Sequence, residues 1–164
     1  MKKSILVLFF VFVSLNIFSQ KTYKAKVVKV VNGSTIQLLD SEQDTINVIL
    51  KSIECPVIQQ AFGEEARNMT VSLCLDKVVD VEDFGKDRYG NAIVSITLPD
   101  QTNLSYELVK NGLAWYYKRN REDTQLECLA TTSKENEIGL WGDSESVAPW
   151  IYKRQQSMLV AKTR

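Results

Sequence analysis

"YKAKVVKVVNGSTIQLLDSEQDTINVILKSI" (residues 23–53) holds three runs rich in Val, Ile and Leu, separated by two polar breaks. Residues 23–31 alternate in part and read as a strand, and residues 35–39 read as a second. Residues 45–53 read as a third. In it Ile46, Val48 and Leu50 share one face, and Asn47, Ile49 and Lys51 share the other. Asn32-Gly33 between the first two is a strong hairpin signal, and "DSEQD" (40–44) is a polar turn. Three strands joined by short turns form a β-meander. Asn32-Gly33-Ser34-Thr35 is also a cluster of small polar groups of the kind that holds an ion or a phosphate. The turn is therefore a candidate site as well as punctuation.

Downstream, Pro56 ends the strand pattern. Residues 59–73 place Ala61, Phe62, Ala66, Met69, Val71 and Leu73 near helical spacing. Residues 77–84 and 91–98 read as two more strands around "GKDRYG". Residues 103–112 read as a short helix ended by Gly112. Residues 123–139 read as another, capped by Asp123 or Thr124 and closed by Gly139. Three strands, a helix, two strands and two helices is the order of a five-stranded OB-fold barrel with about three helices, an α+β class. A barrel also closes its own edges, which suits short strands.

Composition agrees with one packed domain: of 164 residues 45% are apolar and 24% charged, enough for a core. The first twenty residues stand apart. Lys2 and Lys3 precede an apolar run from Ile5 to Val13, and small or polar residues surround Ser19. This is the pattern of a secretory signal peptide, and the run is short for a span of about 20 residues. Export follows, to the periplasm or beyond, with no membrane anchor once the signal is removed. The signal holds two of the 20 bases and none of the 20 acids, so the mature part carries −2. Such a chain has no global pull on a polyanion, and nucleic-acid binding needs a local basic patch. With no histidine, His-based triads, His-containing zinc sites and histidine proton shuttles are excluded. Cys55, Cys74 and Cys128 permit one disulfide at most, with the pair left open.

Four stretches, "VVNGSTIQL", "SIECPVIQQAFGEEA", "DRYGNAIVSITLPDQTNLSYELVKNGLAWYY" and "GLWGDSESVAPWIYKR", fall in the order and spacing of staphylococcal nuclease-like domains. The resemblance covers roughly residues 23–154 and is strongest in the Gly-Leu-Ala-Trp and Gly-Leu-Trp runs. It divides the chain into a signal peptide (1–20), a staphylococcal nuclease-like OB-fold domain (21–154) and a basic C-terminal tail (155–164). The family's fold is the OB barrel with helices, as the strand pattern indicates. The family's activity is calcium-dependent phosphodiester hydrolysis of single-stranded DNA and RNA. It uses two carboxylates to hold a hard cation, a Glu to activate water and two Arg to neutralise the phosphate.

The resemblance carries those roles onto Ser34, Ile49, Glu54, Val57 and Asn91. Ser34 stands for a metal-binding Asp, and Ile49 and Asn91 stand for the two Arg. Val57 stands for the base, and Glu54 stands for the second metal-binding Asp. Only Glu54 keeps charge, a weak candidate metal ligand. Loss of one preorganised charged group costs about 10²–10³ in rate, and such losses are not additive within one constellation. The expectation is a catalytically degenerate binding module, with no cofactor and with single-stranded DNA or RNA as candidate ligand. Tyr89, Tyr117 and Lys51 are the candidate contacts. Lys118, Arg119 and Arg121 offer a basic stretch for a backbone. The alternative is an active endonuclease that needs Ca2+ and uses Glu54, Lys51 and other acids in a rearranged site. Oligomeric state is not written in these features.

Overall fold

The computed structural model describes residues 21–40, 43–117 and 123–162, with side chains to Leu159. The signal-peptide segment and the basic stretch at Lys118, Arg119 and Arg121 lie outside the described residues.

Five strands close into a barrel: β1 (Lys21–Asn32), β2 (Thr35–Leu39), β3 (Thr45–Leu50), β5 (Val78–Lys86) and β6 (Ala92–Thr97), in the order β1-β2-β3-β6-β5. All neighbours are antiparallel except β3 and β6, which run parallel, and β1 meets β5 to close the ring. This is the OB-type barrel that the strand pattern predicts. Alternation fixes its inside: Val27, Ile36, Leu38, Val48, Leu50, Val79, Val81, Val94 and Ile96 are buried. Two register shifts in β1, at Val27/Lys29 and Val30/Asn32, add the local bend that lets a long strand serve two neighbours.

The third run does not continue to residue 53. β3 stops at Leu50, and Ser52 takes a left-handed conformation (φ 62°). The chain then re-pairs outside the barrel, where β4 (Ile53–Glu54) and β7 (Trp115–Tyr116) form a two-stranded ribbon. Period-2 patterning cannot see such a break, because Ile53 is as buried as Leu50.

Among the described residues there are four α-helices where the sequence pattern gives about three: α1 (Gly63–Cys74), α2 (Leu104–Lys110), α3 (Thr124–Glu135) and α4 (Pro149–Lys162). Helix α1 turns Ala66, Thr70 and Cys74 inward, while Met69, Val71 and Leu73 flank the contact. Small residues face the barrel because the helix sits close to the β1–β2 turn: Thr70 Oγ1 donates to the Gly33 carbonyl at 2.8 Å. Asp123, not Thr124, caps α3, accepting from the Leu126 N–H at 3.0 Å. That helix ends at Glu135, and Gly139 opens a 3-10 turn instead of closing the helix. Helix α4 gives regular structure to the acid-free tail. Among the described residues, no helix is long and apolar enough to cross a membrane. All three cysteines are free. Burial pushes the Cys55 and Cys74 thiols up to about 12, and Cys128 is exposed.

Candidate functional site

The β1–β2 turn is a two-residue hairpin loop, but its chemistry differs from the usual Asn-Gly turn. Asn32 pairs with Thr35, so Gly33 and Ser34 make the loop, and neither has positive φ. Gly33 is required for closeness: an added Cβ would lie 2.7 Å from Cys55 Sγ and 2.8 Å from Ala66 Cβ. Asn32 Oδ1 accepts the Ser34 N–H at 3.0 Å, an Asx turn. Ser34 is buried, and its Oγ accepts the N–H of Cys55 at 3.2 Å. The hydroxyl that replaces a carboxylate is thus spent on an internal bond that pins the next loop. Ser34→Ala leaves that buried N–H unpaired and is expected to cost about 1–3 kcal/mol in urea unfolding. An unchanged midpoint would show that the bond does not hold the loop.

Register sets Ile49 beside the turn and carries Asn91 to the level of Asn47. Thr35 pairs with Ile49, Ile49 with Ile93, and Val48 with Ala92, next to Asn91. Ile49 is half-buried and offers a phosphate nothing. Asn91 turns to its own hairpin: its Nδ2 donates to Asp87 Oδ2 at 2.9 Å, and its N–H donates to Asp87 Oδ1. The Asn91 amide, followed by the Tyr89, Asn91 and Gly90 N–H groups, holds the Asp87 carboxyl below the usual carboxylate range. Val57 is half-buried in a loop that Gln60 organises, accepting the Val57 N–H at 3.0 Å and donating to the Val147 carbonyl at 2.8 Å.

Glu54 sits on the β4–β7 ribbon, opposite Trp115. Its Oε1 lies 2.6 Å from Nζ of Lys153, which arrives from α4, and its side chain is 27% exposed. No local pattern announces this pair, which spans 99 residues. Among the described residues, no three His, Cys, Asp or Glu side chains gather to hold a metal ion. The donors present do not fit a hard divalent cation. Glu54 already faces an ammonium, the Ser34 hydroxyl faces an N–H, and Asp87 is committed to its turn.

The candidate contact residues separate. Tyr89 is 74% exposed, with the Arg88 guanidinium 4.8 Å from its ring centre. It lines a groove of about 510 Å³ with Tyr23, Asn47, Lys86 and Asn91. Lys51 lies past the end of β3 and sets its Nζ 3.7 Å from the Phe84 ring centre. It lines a smaller cleft of about 220 Å³ with Ser95, Asn103, Tyr106 and Asp123, and neither Tyr89 nor Tyr117 lines that cleft. Tyr117 extends the ribbon, its N–H donating to the Ser52 carbonyl at 3.0 Å, and its ring meets Trp150 edge-on at 6.1 Å. Trp115 packs against Trp141 at 4.5 Å and Trp150 at 6.1 Å, so the two later tryptophans dock the C-terminal segment.

Ser34, Ile49 and the loop at Cys55 thus meet at the β1–β2 turn, with Glu54 on the adjoining ribbon, while Asn91 belongs to the β5–β6 hairpin. The model of staphylococcal nuclease homologues matches residues 47–143. The chain belongs to the staphylococcal nuclease family. An "Uncharacterized endonuclease" of Escherichia coli O157:H7 is 33% identical over 131 residues, which cover 80% of this chain and 85% of the relative. One of the same name from Haemophilus influenzae is 30% identical over 154 residues, covering 94% of this chain and 86% of the relative. A "Micrococcal nuclease" of Shigella flexneri is 31% identical over 142 residues, covering 80% and 81%. Within the staphylococcal nuclease family, this chain keeps the barrel and the helix framework while Ser34, Ile49, Val57 and Asn91 carry no charge.

Proposed function

We propose that this protein is an exported nuclease-family domain that binds single-stranded nucleic acid and does not hydrolyse it. The observation that carries this reading is the Glu54–Lys153 pair: the one surviving acid already has its positive partner at 2.6 Å. Ile49 and Val57 supply neither a phosphate clamp nor a base, and Asn91 is turned onto Asp87. What the chain still offers is aromatic surface: Tyr89 is exposed, and Tyr117 is half-buried beside the ribbon. Such rings stack on bases at about 1–3 kcal/mol each without reading sequence.

The test uses the chain from Lys21 onward with labelled single-stranded DNA and RNA, with and without calcium. The expected result is retention that weakens with salt, and cleavage at least about 10²–10³-fold below an active family nuclease, the cost of losing even one preorganised charged group. Chelator-sensitive cleavage at nuclease-like rates would overturn the reading. A second reading, an active Ca2+-dependent nuclease with a rearranged site, is favoured by the names its relatives carry. It requires that Glu54→Ala abolish whatever cleavage is measured.

A further inference from the structure

The start of α4 touches Tyr117, on which strand binding rests, and the nearby Glu54, and it touches them with different chemistry. Lys153 meets Glu54. One turn earlier, Trp150 stands edge-on to Tyr117 at 6.1 Å and to Trp115 at 6.1 Å. Glu54 and Trp115 are cross-strand partners, so both attachments land on one ribbon. After Lys153 the described side chains, from Arg154 to Leu159, are exposed. Both contacts lie in the first turns of the helix.

We propose that α4 is a tethered occupant of the strand-binding face. Lys153 supplies the positive charge at Glu54, Trp150 covers an edge of Tyr117, and a single strand reaches Tyr117 when this turn lifts. The inference rests on the nucleic-acid-binding reading and assigns that site its regulation. Both attachments are of the weak kind: a half-exposed ion pair that salt screens, and one ring edge. A cover held this way opens reversibly, and the apparent affinity for a strand is reduced by the fraction that is open.

The two side chains give opposite signs under opposite readings. If Lys153 gripped phosphate or Trp150 stacked on a base, removing either would weaken binding. As a cover, removing either strengthens it. Anisotropy of a labelled oligo-thymidine at low salt is measured for the wild type, Lys153→Gln and Trp150→Ala, each from Lys21 onward. Both variants are expected to bind about three- to tenfold tighter, with the gap closing as salt releases the wild-type helix. Equal or weaker binding by either variant overturns the proposal. A second measurement is independent of nucleic acid: trypsin cleavage after Arg154. Glu54→Gln and Trp150→Ala are expected to be cut several-fold faster than the wild type, because α4 is released. If none of the proteins retains the oligonucleotide, the binding reading fails. The cover falls with it, whereas unchanged cutting overturns the attachment of α4 whether or not a strand is bound.

Discussion

Gly112→Ala is expected to lower the unfolding free energy by at least about 3 kcal/mol, from the sum of two separate costs. The first is conformational. Gly112 closes α2 in a left-handed conformation (φ 62°), with its N–H on the Val109 carbonyl and the Leu113 N–H on the Leu108 carbonyl. This is the Schellman arrangement, in which a side chain costs about 1–2 kcal/mol. The second is steric. An added Cβ would lie 2.0 Å from the Ile138 carbonyl oxygen, a backbone atom that cannot swing aside. The Gly112 carbonyl also accepts the Leu140 N–H at 2.9 Å, so any retreat breaks that bond. For a domain of this size the melting temperature falls by roughly 6–12 °C. Gly85→Ala is the control: it shares positive φ (103°), but nothing lies within 4 Å of its added Cβ. If both substitutions cost the same, the Gly112–Ile138 contact is not as described.

Gly63→Ala is the second large effect, and here two considerations oppose. Gly63 begins α1, and helix propensity alone favours Ala over Gly by about 1 kcal/mol. Packing reverses the sign. The added Cβ would lie 2.1 Å from the Val57 carbonyl oxygen and 2.9 Å from Ile58 Cα. Those are backbone atoms of the loop that Gln60 ties to Val147. Overfilling a packed site costs about 1–3 kcal/mol, and a backbone obstacle puts this case at the upper end. Urea unfolding of Gly63→Ala decides: a net loss of about 2 kcal/mol follows if the loop is seated on the helix, whereas a gain would mean that it is not.

These glycines bear on how much of the molecule could be read in advance. The barrel was legible because burial on one face leaves a period-2 trace, clear in "TIQLL" and "AIVSIT". The helices were legible as segments but less so in orientation. The inward face of α1 is Ala66, Thr70 and Cys74, whose small size follows from the nearness of Gly33 and is invisible to a scale that rewards Met69 and Leu73. For the site, motif spacing offers positions to look at: Ser34, Ile49, Glu54, Val57 and Asn91. What their side chains do instead it does not offer. The Ser34 bond to Cys55 and the Asn91 bond to Asp87 depend on the folded path. The Lys153 contact depends on a helix, α4, that no period in the sequence marks. Lys51 shows the converse: one residue beyond the strand end was enough to send it to Phe84.

The meeting of Gly112 with residues 138–140 also has a topological meaning. The chain departs at Gly112, runs through Trp115, Tyr117 and α3, and returns to its point of departure. Residues 113–138 thus form a side trip whose two ends are clamped together by backbone atoms. The entropy of closing such a trip grows only logarithmically with its length. The clamp therefore uncouples the length of that side trip from the register of the barrel, whose strands all lie outside it.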